Sequence, residues 1–203
     1  MVDKTKFKKL KPFFNSLVIE AGLDEAGRGP LAGPVVAAAV ILPQNYKNKW
    51  LNDSKQITES ERDKLAIEIK KNALAYSITE VSNQEIDQIN ILKASIKAMH
   101  LCVDKLIIKP EHLIVDGNRF YPYPLIPHTC IIKGDSKFMA IAAASILAKT
   151  YRDELMRKLA IDHPEYGWEH NFGYPTKFHR EAILHFGTTK YHRLSYNLLG
   201  KDF

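Results

Sequence analysis

The chain of 203 residues is poor in cysteine: Cys102 and Cys130 stand far apart and form no CxxC pattern. That spacing gives no ground for a disulfide framework or a cysteine-ligated zinc site, and it suits a reducing compartment. No apolar run approaches the ~18 residues that a membrane span requires. The start, "MVDKTKFKKLKPFF", has lysines where a secretory leader needs its apolar stretch. A cytoplasmic protein without a membrane anchor is therefore expected. Internal repeats, low-complexity linkers and a GxxxxGK[ST] phosphate loop are also missing.

What is present is ordinary globular material, 45% hydrophobic and 26% charged, which argues against disorder. The length predicts one domain over 1–203, with a basic segment at about 1–15 and a C-terminal helical, substrate-binding part at about 163–203. The net charge of +6 favours polyanionic partners. A monomer is expected.

Apolar runs rich in Val and Ile predict strands over Leu17–Asp24 and Pro34–Leu42, joined by a glycine-proline turn. Thr58 with Glu61, and Ser82 with Glu85, read as capping boxes opening two helices. The second is expected to run long, with one stripe through Ile86, Ile89, Leu92, Ile96, Met99, Val103 and Leu106 until Pro110 stops it. "AYSITEVS" alternates as a half-buried strand, "HLIVDG" is a short apolar strand ending in Asp116, and "TCIIKGD" is another ending in Asp135. Between them, "NRFYPYPLIPH" has three prolines in six residues and reads as loop or edge. From Ser136 the chain turns helical, with five alanines between Ala140 and Ala148 that let a helix lie close to a sheet. Short helices around "PTKFHREAILHF" follow. The class is α/β, a mixed central sheet flanked by helices.

The acids then stand out. Asp24, Asp116 and Asp135 each fall at or just beyond the end of a predicted strand, and Glu25 adjoins the first. One such Asp is more often a helix cap or turn former, and Asp135 ahead of Ser136 is a natural N-cap. Their coincidence points elsewhere, because open α/β sheets hold ligands at strand ends. Gathered carboxylates repel and raise one another's pKa, and no Arg or Lys stands adjacent to each acid to pair it off. Divalent ions resolve the repulsion, and all-oxygen ligation favours Mg²⁺ or Mn²⁺ over zinc. Two such ions ~4 Å apart activate a water and steady the leaving oxygen of a phosphodiester. Neighbours on an extended chain point to opposite faces, so Asp24 and Glu25 share a site only if the strand ends and the backbone turns there.

"GRGPLAG" is no dinucleotide fingerprint: its third glycine is one residue late, Pro30 intervenes, and a strand follows. Gly27 and Gly29 either expose backbone to a ligand or serve a tight turn. His170 and His179 fit no zinc spacing, and surface or packing roles suit them better.

Five blocks carry a family resemblance: "GLDEAGRGPLAGPVVAAAVIL", "NDSKQIT", "IVDGNR", "KGDSKFMAIAAASILAKTYRD" and "HPEYGWEHNFGYPTKFHREAILHFGTTKYHRLSY". In order and spacing, over roughly residues 17 to 196, they resemble bacterial ribonuclease HII (type 2 ribonuclease H). The resemblance implies a ribonuclease H-like fold and a metal-dependent endonuclease. Such an enzyme cuts the RNA strand of RNA–DNA hybrids, and cuts 5′ to single ribonucleotides in duplex DNA, leaving 3′-hydroxyl and 5′-phosphate ends. It further implies catalytic acids at Asp24, Glu25, Asp116 and Asp135, a ribose-sensing backbone at Gly27, Arg28 and Gly29, and an aromatic sensor at Tyr174. The sister type, ribonuclease HIII, typically reads GKG where this chain has "GRG", and carries an N-terminal domain for which the lysine-rich start leaves no room.

Only the 2′-hydroxyl separates ribose from deoxyribose at one position, and backbone groups of a glycine turn suit a group that both donates and accepts. Lys55, Lys137, Lys149, Arg193 and the terminal lysines are candidates for phosphate contacts that position a duplex without reading sequence. The readings in competition are another ribonuclease H-like polynucleotidyl transferase and a non-catalytic hybrid-binding module. The full set of acids argues against the latter.

Overall fold

The computed structural model of the chain describes residues 10–48, 50, 51 and 58–200. A sheet of five strands forms its centre, in the order β3-β2-β1-β4-β5. Strands β1 (Glu20–Ala26), β2 (Val35–Ile41) and β3 (Ala75–Val81) make an antiparallel meander. Strands β4 (His112–Asp116) and β5 (His128–Ile131) continue the sheet beyond β1, parallel to it. The helices are α1 (Glu59–Asn72), α2 (Asn83–Ile89), α3 (Ile91–Lys105), α4 (Met139–Asp162), α5 (Trp168–Asn171) and α6 (Lys177–Phe186). This is the α/β architecture with a mixed sheet that the patterning predicts.

Helix α4 covers one face of the sheet with α1 beside it, and α3 covers the other. Small residues set the first spacing. A Cβ on Gly22 of β1 would stand 2.2 Å from the carbonyl carbon of Ala140 in α4, so only glycine admits the helix there. Ala142, Ala143 and Ala144 of α4 and Ala38 of β2 are fully buried in the same layer. Side chains of Ile141 and Ile146 fill what remains, each contributing about 2 kcal/mol by leaving water.

Several details differ from the expectations. β1 starts at Glu20 rather than Leu17, because the Glu20 carboxylate folds back to accept the N–H groups of Phe14 and Asn15 at 3.0–3.2 Å, which commits that segment to a loop. The long helix is two. Asn90, at φ 69°, ends α2 and caps α3 by accepting from the Lys93 N–H, a conformation that asparagine tolerates better than most residues. Of the two expected capping boxes, the Thr58–Glu61 box closes in both directions, whereas Ser82 accepts from the Glu85 N–H and the Glu85 carboxylate pairs with Lys97 instead. Finally, β5 ends at Ile131, so Asp135 lies beyond the strand in a 3₁₀ turn (Gly134–Ser136). It does not cap α4, whose N-cap is Phe138.

A third apolar cluster, around Trp168, Tyr166 and Met156, joins α4 to the C-terminal part. The chain after α6 returns to the turn that follows β1. There the Gly33 N–H donates to the Tyr191 carbonyl (2.9 Å) and the Arg193 N–H to the Leu31 carbonyl (2.8 Å). No described helix is long and apolar enough to cross a membrane.

Candidate active site

β1 and β4 are paired only as far as Leu23↔Val115, whereas β1 stays paired with β2 to Ala26↔Val36. The acids sit where the first pairing stops. Strand alternation governs their directions: Asp24 faces α4 and accepts a hydrogen bond from Ser145, while Glu25 lines a cavity of about 50 Å³ with Leu92, Ser95 and Met99 of α3. The expected turn at these two residues is therefore not found. The strand continues to Ala26 and reverses at Gly27, where φ is 94° and a Cβ would meet Arg152 at 2.0 Å.

The acids nonetheless feel one another. Burial pushes the Asp24 carboxyl well above its usual range, and the charges of Glu25 and Asp116 add to the shift. Ser145 and the Glu25 N–H, which donates to Asp24 Oδ1 at 2.7 Å, oppose it. Burial also raises Glu25, with Asp116 adding to the rise and Arg28 counteracting it. That last partner corrects the expectation that no cation pairs the acids: Arg28 Nη1 lies 3.1 Å from Glu25 Oε1. Asp116 ends β4, and its Oδ1 accepts the Gly134 N–H at 2.6 Å, which ties β4 to the turn bearing the buried Asp135. Among the described residues, no three acidic, histidine or cysteine side chains are drawn tightly enough together to hold an ion as they stand. Like charges without a cation between them settle on other partners, here Arg28, Ser145 and the Gly134 N–H.

Gly29 has no positive φ, so its dihedrals do not demand glycine; a Cβ there would stand 3.6 Å from Cε1 of the Tyr174 ring. The turn and the tyrosine thus face each other, with Tyr174 39% exposed. A buried chain of neutral groups holds the tyrosine from behind. Thr189 donates its N–H to His192 Nδ1 (2.9 Å), which leaves the His192 proton on Nε2, directed at His179 Nε2 (3.2 Å). The single lone pair of that nitrogen is shared with Trp168 Nε1–H, which donates to it at 3.0 Å, and His179 Nδ1 donates to the Tyr174 carbonyl (3.0 Å). Burial lowers both imidazoles, His192 to about 4 with help from His179. His179 is thus a packing histidine, and exposed His170 lies 3.7 Å from Glu169.

The candidate phosphate contacts divide. Lys55 and the lysines before residue 10 lie outside the described residues, and Lys137 is exposed. Lys149 bonds Asp153 at 2.7 Å and lies over the Phe172 ring. Arg193 is fully buried against backbone carbonyls, out of reach of a duplex. Sequence reasoning missed Arg152, Tyr196 and His192 as parts of this site. A signal existed for the first: Ala148, Arg152, Met156 and Ala160 step by four along the buried side of α4, and a charge on such a stripe needs a partner.

A mixed sheet under helices on both faces, with acids where two parallel strands part, defines a ribonuclease H-like hydrolase. Solved structures agree. The chain is similar to ribonuclease H2 from Pyrococcus horikoshii OT3, at TM-score 0.73 and 27% identity over 89% of this chain and 94% of that one. It shares its fold with Bst ribonuclease HIII in complex with Mn²⁺, at TM-score 0.68 and 19% identity over 97% of this chain and 70% of that one. The family model for Ribonuclease HII matches residues 21–199. The ribonuclease HII of Bacteroides thetaiotaomicron is 60% identical over 94% of this chain and 96% of that protein. The chain belongs to the ribonuclease HII family. It is an endoribonuclease of the ribonuclease H class, acting on RNA–DNA hybrids, which sets aside a non-catalytic binding module.

Proposed function

We propose that this protein cuts 5′ to ribonucleotides, in RNA–DNA hybrids and at single ribonucleotides embedded in duplex DNA, leaving 3′-hydroxyl and 5′-phosphate ends. Removal of misincorporated ribonucleotides is the repair role that follows. The observation that carries the reading is a juxtaposition: coupled acids at the end of β1, and directly after them a glycine turn faced by Tyr174.

Asp24, Glu25, Asp116 and Asp135 are the residues that would hold two Mg²⁺ or Mn²⁺ ions. The donor set fits hard divalent cations, being all carboxylate, with Asp24 buried and its charge disfavoured by two neighbouring acids. The solved Bst ribonuclease HIII complex with Mn²⁺ supports the choice of ion. Bound ions supply an activated water and neutralise charge on the leaving oxygen. The protein's own groups do the rest. Glu25 is paired with the half-exposed guanidinium of Arg28; were Glu25 to serve as a metal ligand, that guanidinium would be left to meet a phosphate. The Gly27–Arg28–Gly29 backbone meets the 2′-hydroxyl, and Tyr174 packs on the neighbouring sugar. Lys55 is proposed as a further phosphate contact. A site built to hydrogen-bond a hydroxyl rejects the analogue lacking it by roughly 10⁴.

The test is a DNA duplex with one ribonucleotide, incubated with the protein and Mg²⁺ or Mn²⁺ beside an all-DNA control. A single cut 5′ to the ribonucleotide is expected. No cut, or equal cutting of the control, overturns the reading.

A further inference from the structure

Two arginines lie buried beneath the glycine turn, and neither hydrogen-bonds a carboxylate among the described residues. Arg193 is 0% exposed and gives its guanidinium to the carbonyls of Gly27 (2.7 Å), Arg28 (3.1 Å), Gly33 (2.9 Å) and Pro34 (3.1 Å). Arg152, 1% exposed, donates to the carbonyls of Ala32 (3.0 Å), Pro34 (3.1 Å) and Phe172 (3.0 Å). Tyr196 closes the cage: its hydroxyl accepts from Arg193 at 3.2 Å and donates to the Arg28 carbonyl at 2.9 Å, so both lone pairs of that carbonyl are in use.

Two cations sharing the Pro34 carbonyl is a costly arrangement, since each is desolvated and repels the other. Burial and Arg193 together lower Arg152 to about 10, which still leaves it charged at neutral pH. Packing alone does not call for it; apolar side chains would fill the space without desolvating charge. What the pair achieves is geometric. Arg193 fixes the carbonyls on the near side of the turn, and Arg152 spans from the turn to Phe172, two residues before Tyr174. Beside it the Leu31 N–H bonds the Gly173 carbonyl at 2.7 Å.

We propose that Arg152 and Arg193, with Tyr196, are positioning residues for sugar discrimination. They hold the Gly27–Gly29 backbone in fixed register beside the Tyr174 ring, so that one sugar lying across both can be contacted by the turn and the ring together. The inference rests on the ribonucleotide-cutting function proposed above. Lysine keeps the charge but cannot span several carbonyls with a planar fork, so Arg193→Lys and Arg152→Lys isolate the geometry. Tyr196→Phe deletes one hydroxyl and spares the fold should a lysine variant fail to fold.

The decisive readout is the ratio of single-turnover rates on duplexes with one ribonucleotide and with one 2′-fluoro-deoxynucleotide at the same position. Misfolding scales both rates together and leaves the ratio alone. A loosened turn lowers it, by at least about tenfold for the lysine variants and about threefold for Tyr196→Phe. Amide hydrogen exchange at Arg28 and Gly29, measured by NMR, should speed up in parallel. Folded variants with the wild-type ratio and wild-type exchange overturn the proposal while leaving the function intact. Should wild-type protein cut neither duplex, the function falls instead. Exchange at the turn then decides the clamp: faster exchange supports it and unchanged exchange overturns it.

Discussion

The crevice between β1 and β4 and the glycine turn beside it are adjacent in sequence and opposite in construction. In the crevice Asp24, Glu25 and Asp116 repel one another, and burial disfavours the charges of Asp24 and Glu25. In the turn, carbonyl after carbonyl is taken by buried Arg193 or by Tyr196, and the histidines behind Tyr174 are neutral and partnered. The difference suits the two roles proposed for them. A site to be completed by cations would be short of positive charge, and here, among the described residues, Arg28 alone offsets the three acids. A site that distinguishes one hydroxyl must be rigid before the ligand arrives, because selectivity depends on donors and acceptors already being in place.

The comparison breaks first at Asp116. Asp116→Asn should lower cleavage of the ribonucleotide duplex by roughly 10³ or more while leaving hybrid binding largely intact, because it removes charge where ions would sit. Normal turnover by that variant would refute the metal-site assignment. The turn side is next, through pH. His192 is held near 4 in the folded protein, against 6.5 ordinarily, so between those values the unfolded chain binds the extra proton. Its contribution is complete above pH 6.5 and is lost as the pH falls towards 4, up to about 3 kcal/mol. Urea melts at pH 7 and pH 4.5, compared with those of a variant lacking His192, measure it; parallel losses would remove His192 from the account.

Tyr174→Ala should slow cutting at single ribonucleotides by roughly tenfold in kcat/KM, about 1.4 kcal/mol of transition-state stabilisation. Unchanged rates would return Tyr174 to a packing role. The smallest effect sharpens the contrast most. Asp24→Asn removes a buried charge repelled by two neighbours yet keeps an acceptor for the Glu25 N–H and for Ser145. Without divalent ions it should raise the melting temperature by roughly 2–4 °C, as expected for about 1 kcal/mol in a chain of this size. With ions present the advantage should vanish or reverse. A destabilised ion-free variant would show that the crevice is not strained.

Much of this was legible in local pattern. Alternation along β1 directs Asp24 and Glu25 to opposite faces, and the structure keeps them there. The reversal expected at Glu25 comes two residues later, because pairing with β2 extends the strand to Ala26. Alanines from Ala140 predict a helix close to the sheet, and α4 lies there. Asn90 misled because the apolar stripe continues across it, and periodicity does not register one residue at positive φ. Arg193 misled for another reason. An arginine near a nucleic-acid site reads as a phosphate contact, whereas this one donates to Gly27, 166 residues away in sequence.

By itself, then, the sequence determined the order of strands and helices, the acids that fall at strand ends, and the glycines that leave backbone bare. These depend on near neighbours and on the period of each element. Only the tertiary structure decided where the acids' charge is balanced and how the turn is held against Tyr174. Those depend on which distant groups reach a buried carbonyl or carboxylate once water has been excluded. A guanidinium or an imidazole carries no sign of that partner until the chain has closed around it.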